Sequence, residues 1–353
     1  MAEYVKNTWY PLAWSRDVTG ELSRHRILER DVVLYRTAGG KVAAMEDLCP
    51  HRLLPLSMGR LKGDAVECGY HGMTFESGGR CVRVPGQSGP VPDIRVTTYP
   101  THENMGLVWI WTGDRELADP DLVFDLPEYH SAAWNVAEGD ALRIEADYLS
   151  LADNLCDPAH VNFVHLSTLG NEAGEDVPVS TELRGDDLVT WRWINDAPAI
   201  PLFAKYGNFT GNVDRWHYYH YLAPSIAVID FGSLDTGNVN PEDHRDEGMR
   251  IFACHFITPV DAHTSIDHWL HVKNFPADEA TNKALSDEFR IAFAEDKAIL
   301  EAIQINELAH PDRRKARIAI DRAPIRMRRM VKQWIDKDVP PQQAPRVLDK
   351  VNA

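Results

Sequence analysis

Cys49-Pro50-His51-Arg52 and Cys68-Gly69-Tyr70-His71-Gly72 each place one thiol and one imidazole in a short segment. Two thiolates and two imidazoles at that spacing suit a [2Fe–2S] cluster in which one iron keeps its sulfur ligands and the other takes two histidines. Neutral imidazoles remove negative charge from such a cluster, so an added electron is better tolerated and the potential rises above that of an all-cysteine site. Two other readings compete. Structural zinc also takes two Cys and two His, but as a Cys pair followed by a His pair, whereas each segment here supplies one of each. The plainest alternative is four unrelated core residues, yet only five cysteines occur in 353 residues and two of them stand in these boxes. Gly69, Gly72, Gly78 and Gly79 lie in or after the second box, and glycine lets backbone N–H groups approach sulfur closely.

A second constellation begins at Asn154-Leu155-Cys156-Asp157-Pro158-Ala159-His160 and ends at His165. Five residues of regular helix turn by about 140°, so His160 and His165 converge only if one lies at a helix end. A third ligand is then needed. Asp296 is the best candidate: its neighbours Ala292, Phe293, Ile299 and Leu300 lie on or beside an apolar helix face, and a carboxylate pointing inward needs a partner that a metal would supply. Two histidines and one carboxylate on one side of a metal leave positions open for O2 and substrate, the arrangement of non-haem Fe(II) oxygenases. Glu295 and Glu301 are the rival carboxylates. A histidine on a mostly apolar helix is otherwise more often a satisfied core residue; an electron-transfer centre in the same chain shifts the balance, because it implies an electron consumer.

The elements that must position these groups fall into two parts. Residues from about 5 to 112 read as β: Val32–Tyr35, Lys41–Met45 and Leu107–Trp111 are short apolar runs punctuated by Ala38-Gly39-Gly40 and Ser77-Gly78-Gly79. Gly113, Pro120 and Pro127 mark a boundary, drawn at 118/119, giving domains 1–118 and 119–353. In the second, a helix is expected from near Glu145 through Asn154, strands at Leu188–Trp193, Ala227–Phe231 and Arg250–Phe256, and a long helix over about Glu279–Glu307 with Leu285, Phe289, Phe293, Ile299, Leu300 and Ile303 on one broad face. The fold class is α+β. Pro340-Pro341-Gln342-Gln343 suggests a loose tail.

The chain resembles the oxygenase component of a Rieske non-haem iron oxygenase, and within that family the vanillate O-demethylase and dicamba monooxygenase branch. The two Cys/His boxes, the Asn154-to-His165 segment, Asn7-Thr8-Trp9-Tyr10 and Glu295-Asp296-Lys297 carry the resemblance, which runs over nearly the whole chain and is weakest from about Thr168 to Ala280. It implies an antiparallel β Rieske domain, a catalytic domain with a curved antiparallel sheet flanked by helices, and a homotrimer in which the cluster of one subunit sits beside the iron of the next. Cys49, His51, Cys68 and His71 would hold the cluster; His160, His165 and Asp296 would hold mononuclear Fe(II). Asp157 matches an aspartate that bridges the two centres, with a turn or helix cap before Pro158 as its other reading. Asn154 matches a position close to the iron. Electrons would come from NAD(P)H through a separate reductase or ferredoxin and serve O2-dependent hydroxylation of an aromatic substrate. On a methoxy carbon the product would lose formaldehyde, a net O-demethylation; ring or methyl-group hydroxylation is the alternative. An electron carrier with a silent second domain is the rival from another class.

By the same resemblance Asp230 and His255 border the substrate as polar anchors, although each could be an ordinary sheet residue. No arginine among Arg192, Arg215 and Arg250 stands out as a carboxylate clamp. Composition sets the outer limits. A net charge of −16 argues against nucleic acid, and no apolar run approaches membrane-spanning length. The N-terminus lacks a basic n-region and an apolar h-region, so no signal peptide is expected. Cys81, Cys156 and Cys254 are left over in odd number, which argues against a disulfide framework and for the cytoplasm. The run Arg313, Arg314, Lys315, Arg317, Arg322, Arg326, Arg328, Arg329 and Lys332 goes against the overall charge; it reads as a solvated face, or as a docking patch for an acidic electron donor.

Overall fold

The computed structural model of the chain describes residues 3–337, so the Pro340–Gln343 segment lies outside the described residues. The chain divides into two compact units, one made of the residues up to Asp125 with Thr258–Ala262, the other of Leu126–Ile257 with His263–Asp336. The division falls at Asp125/Leu126 rather than at 118/119 because the intervening residues are tied into the first unit. Trp9 Nε1 donates to the Asp119 carbonyl at 2.7 Å, and Asn104 Nδ2 to that of Phe124 at 2.9 Å.

The first unit is all β. Its strands are β1 (Trp9–Trp14), β2 (Ser23–Ile27), β3 (Arg30–Arg36), β4 (Val42–Glu46), β5 (Arg60–Lys62), β6 (Ala65–Glu67), β7 (Thr74–Phe75), β8 (Cys81–Arg83), β9 (Thr98–Tyr99), β10 (Thr101–Asn104) and β11 (Leu107–Trp111). They form three antiparallel sheets, ordered β1-β11-β10, β2-β3-β4-β9 and β5-β6-β7-β8. The Cys/His boxes fall in the β4–β5 connection and the β6–β7 turn. Both are backed by a core of Tyr35, Met45, Leu56, Val66 and Phe75, all fully buried.

The second unit carries the α+β arrangement expected. Its strands are β12 (Asn135–Ile144), β13 (Ser180–Arg184), β14 (Asp187–Ala197), β15 (Val213–Leu222), β16 (Ile226–Asp235), β17 (Met249–Asp261) and β18 (Thr264–Lys273). They make one seven-stranded sheet, ordered β12-β18-β17-β16-β15-β14-β13. Its helices are α1 (Pro127–His130), α2 (Tyr148–Leu155), α3 (Val161–Val164), α4 (Pro201–Tyr206), α5 (Glu279–Ala309) and α6 (Arg322–Lys337). Every residue of β15 is buried, so both sheet faces are covered.

Three local expectations need correction. The helix after β12 starts at Tyr148, not near Glu145, because Asp147 caps it by accepting from the N–H groups of Leu149 and Ser150. The long helix α5 buries Leu285, Phe289, Phe293, Asp296 and Leu300 on one face, but Ile299 and Ile303 are 40% and 43% exposed, so its apolar stripe is narrower than the composition suggests. The basic C-terminal run is partly paired within its own unit. Arg328 binds Asp153 at 2.7 Å, Lys315 pairs with Glu307, and Arg326 donates to the Thr181 carbonyl at 2.8 Å.

Candidate active site

In the first unit the two boxes fold into matching loops. The Cys49 N–H donates to the Leu54 carbonyl and the Leu53 N–H to the Cys49 carbonyl; likewise the Cys68 N–H donates to Met73 and the Gly72 N–H to Cys68, all at 2.8–3.1 Å. The equivalent residues Leu53 and Gly72 both take positive φ, 59° and 71°. Glycine does so freely; leucine there is strained backbone, held by the loop around it. A side chain at Gly69 could not be accommodated, since its Cβ would stand 2.7 Å from the Met58 carbonyl. Buried Asp47 pins the first loop by accepting from the N–H and the hydroxyl of Ser57, each at 2.6 Å.

These loops sort the four side chains by depth. Cys49 and Cys68 are buried, while His51 and His71 are exposed with ring centroids 4.6 Å apart. Burial, and then the neighbouring Cys68, push the Cys49 thiol pKa up. Two thiols held against each other in an apolar floor, beneath two exposed imidazoles, are the donor set that would hold a Rieske [2Fe–2S] cluster.

In the second unit His160 and His165 bracket α3, one turn long, as its first and last flanking residues. That is how two histidines five apart come together. His165 Nε2 lies 3.2 Å from Asp296 Oδ2, and His160 Nε2 lies 3.5 Å from Asp296 Oδ1. One ligand atom from each of the three residues lies within 4.8 Å of the others. The outer nitrogens are engaged elsewhere: His160 Nδ1–H donates to the Asp157 carbonyl at 2.5 Å, and His165 Nδ1–H to the Glu295 carboxylate at 2.8 Å. Both rings therefore offer an Nε2 lone pair to the same point as the carboxylate, which is how metal-ligating histidines are fixed in tautomer and orientation. Asn154 Nδ2 holds Asp296 Oδ1 at 2.9 Å. Burial opposes a charged Asp296, but the His165 hydrogen bond and the two imidazoles prevail and hold its carboxyl below the usual range. The donor set suits a mononuclear iron.

The remaining candidates are placed as follows. Asp157 sits beside His160 and meets it through its backbone carbonyl; its carboxylate accepts from the Ala159 N–H at 2.8 Å. Burial raises the Asp157 pKa. His255 lines the cavity next to the triad, with Nδ1 donating to buried Asp267 at 2.8 Å. Asp230 does not. It lies on the opposite face of the sheet, where it accepts from Trp216 Nε1 at 3.0 Å and pairs with Arg245 and Arg250 at 2.8 and 2.7 Å. The expectation that it anchors substrate is overturned by strand alternation, since its neighbours Ile229 and Phe231 face the cavity.

The cavity lies against the triad, with Asn154, His160, His165 and Asp296 among its lining residues. Its walls are mostly apolar, with Leu155, Leu169, Ile229, Phe231, Phe289 and Phe293 offering a slot for an aromatic ring. His217 and Tyr219, from β15, add polarity. Burial, then Arg192 and Arg215, hold His217 neutral by pushing its pKa well down. Arg192 Nε–H donates to His217 Nδ1 at 3.3 Å, which leaves Nε2–H as its free donor. The same guanidinium donates to the carbonyls of Pro158 at 2.6 Å and Gly174 at 2.8 Å, so it also braces the loop before His160. From the sequence Glu295 reads only as a rival ligand and Arg192 only as an arginine that does not stand out, and His217 and Tyr219 give no signal at all.

Comparison with known proteins agrees with this geometry. Residues 144–337 match the vanillate O-demethylase oxygenase C-terminal domain, and residues 8–100 the Rieske [2Fe–2S] domain. The iron–sulfur subunit of the toluene-4-sulfonate monooxygenase system of Comamonas testosteroni is 34% identical over 90% of this chain and 93% of its own. The vanillate O-demethylase oxygenase subunit of Pseudomonas sp. (strain HR199 / DSM 7063) is 33% identical over 93% and 94%. The crystal structure of dicamba monooxygenase bound to dicamba superposes with a TM-score of 0.86 at 27% identity, covering 96% of this chain and 99% of that one. The chain belongs to the Rieske non-haem iron oxygenases, in the branch defined by the vanillate O-demethylase C-terminal domain. It is an oxygenase component whose cofactors are a Rieske [2Fe–2S] cluster and a mononuclear iron, working with a separate reductase or ferredoxin. No described helix is long and apolar enough to cross a membrane.

Proposed function

We propose that this chain hydroxylates a methyl-bearing aromatic substrate in the second-unit cavity, with oxidative O-demethylation of a methoxyarene as the leading reaction. Cys49, His51, Cys68 and His71 hold the cluster, and His160, His165 and Asp296 hold the iron. The convergence of those three side chains on the wall of a cavity lined mostly by apolar and aromatic residues carries the reading. The bound iron supplies O2 activation.

The chain's own residues do the rest. Phe289, Phe293 and Phe231 shed water and flank the arene. His217 Nε2–H and the Tyr219 hydroxyl orient oxygen atoms beside the triad, and Asn154, Glu295 and the Asp157 carbonyl keep its three ligand side chains, Asp296, His165 and His160, aimed at one point. The balanced reaction is ArOCH3 + O2 + 2 e⁻ + 2 H⁺ → ArOH + CH2O + H2O, the hydroxylated methyl group collapsing with loss of formaldehyde. Hydroxylation of an aryl methyl group is the second reading, favoured by the toluene-4-sulfonate relative.

Electrons enter from NAD(P)H through the reductase, and the exposed His51 and His71 edge, collared by exposed Leu53, Met58 and Tyr70, suits docking on a second copy in a homotrimer. Asp157 is the bridging carboxylate at that junction. We place the protein in the cytoplasm, supported by Cys81, Cys156 and Cys254, three cysteines outside the cluster that form no disulfide.

The test is a panel of methoxyarenes and methylarenes, turned over with NADH and a Rieske-compatible reductase while O2, formaldehyde and hydroxylated product are measured. Formaldehyde equimolar with the phenol supports demethylation. Hydroxymethyl product without formaldehyde selects the second reading, and O2 uptake with no arene overturns both.

A further inference from the structure

Arg215 is 1% exposed, yet its charge is unanswered. Nη2 donates to Asn171 Oδ1 at 2.9 Å; among the described residues Nε and Nη1 have no hydrogen-bond partner and no carboxylate forms a salt bridge with it. Burial, and next the neighbouring Arg192, lower its pKa to about 10, so the guanidinium is still cationic at neutral pH. A buried guanidinium without a counter-ion is strongly unfavourable, so such a group persists where an anion visits. The other buried arginines differ: Arg192 is held by two carbonyls and His217, and Arg245 is paired with Asp230.

Its position says which anion. Arg215 pairs in register with Ser233, and His217 pairs with Phe231, so all four side chains lie on one face of the sheet. His217 and Phe231 line the cavity, which makes Arg215 and Ser233 the next side chains on that face along the two strands. Asn171, the one partner of Arg215, follows two residues after cavity-lining Leu169. The Ser233 hydroxyl is buried and, among the described residues, also unpartnered, as are both ends of the Asn162 amide. Asn162 stands beside Ile194, the register partner of Arg215 on β14: its amide atoms and Ile194 Cδ1 lie 2.7–2.9 Å from where a Cβ on Gly174 would sit. Unpartnered buried polar atoms thus lie one same-face step along the strands from His217 and Phe231, behind the residues that line the cavity.

We propose that Arg215, assisted by Ser233 and Asn162, is the subsite for an anionic substituent of the aromatic substrate, a carboxylate or sulfonate on the side of the ring away from the iron triad. This rests on the oxygenase reading above and narrows its substrate class to arene anions. The group enters past the edges of His217 and Phe231 and takes up the free donors of Arg215.

Calorimetric titration of the intact oxygenase with benzoates and benzenesulfonates, each against its neutral amide, tests the assignment. Wild type should bind the best anion roughly 10- to 100-fold more tightly than its amide, the range expected for a charge-assisted hydrogen bond. Arg215→Met should bring that ratio to parity through loss of anion affinity and raise the ligand-free Tm, because an unpaired buried charge is gone. Arg215→Lys should keep part of the preference. If no anion in the panel outcompetes its amide in wild type, the assignment is wrong whatever the variants do. It is equally overturned if Arg215→Met lowers Tm while the preference persists, or if chloride raises the wild-type Tm but not that of Arg215→Met while anion and amide bind alike, which would give the site to a free inorganic ion. Failure of the oxygenase reading is separate, since it removes O2 uptake with neutral arenes as well.

Discussion

The two faces of the seven-stranded sheet are built from the same strands, and both are buried, yet they treat charge in opposite ways. On the face away from the cavity, Asp230 draws in Arg245, Arg250 and Trp216, and Arg250 also stacks on Phe252, 4.7 Å from the ring centroid. Those charges answer one another: Arg245 leaves only its Nε without a hydrogen-bond partner among the described residues, and its charge is paired. On the cavity face, His160 and His165 present lone pairs to a common point, His217 keeps a free N–H, and Arg215 has donors to spare. Alternating residues of single strands, such as Arg215 and Trp216 or Ile229 and Asp230, divide between the two regimes. Burial alone therefore marks neither structure nor function in this sheet; what separates them is whether buried polarity is closed on itself.

Breaking the closed face has the largest expected effect. Asp230→Ala leaves two buried guanidiniums without their shared anion and should destabilise the unit by about 3–5 kcal/mol in a denaturant titration, with iron content per folded chain unchanged. Its pH dependence sharpens the point. Burial opposes the Asp230 carboxylate, but Arg250, then Arg245 and Trp216, hold its pKa below the ordinary aspartate value. The stabilisation is thus full above that value and fades as the pH falls through the folded-state pKa, so the wild-type and Asp230→Ala stability curves should draw together only below about pH 4. A wild type that loses this advantage near neutrality would mean the pair is not what holds that face.

On the open face a smaller effect is expected. Glu295→Gln keeps the shape of the carboxylate but weakens its grip on His165 Nδ1–H, and should reduce Fe(II) affinity roughly 10- to 100-fold without altering the visible spectrum of the cluster. Unchanged iron retention would show that Glu295 does not orient the ligand.

Much of this could be read from the chain, for reasons that differ by site. The cluster boxes are legible because each ligand pair sits within one tight loop, where local spacing is geometry. His160 and His165 are legible as a pair because they flank one short turn, and Asp296 because it falls in phase with Leu285, Phe289 and Leu300 on α5. Glu295 reads from the sequence only as a rival ligand, since one helix position decides whether a carboxylate meets the metal or the histidine behind it. Arg192, His217, Tyr219 and Arg215 come from strands whose register no sequence spacing reveals. Asp230 is placed beside the substrate by the resemblance alone, and the sequence offers no check: β15 and β16 are buried on both sides, so they carry no polar alternation to mark the cavity side.

The central claim is that electrons stored on the Cys49/His51/Cys68/His71 cluster are delivered to an iron held by His160, His165 and Asp296. Its most direct test is iron analysis with visible and electron paramagnetic resonance spectra of wild type and His160→Ala. Wild type should hold about three irons per chain and the variant about two, with the cluster signals unchanged. Two irons in wild type, or a full complement and full turnover in His160→Ala, would contradict it.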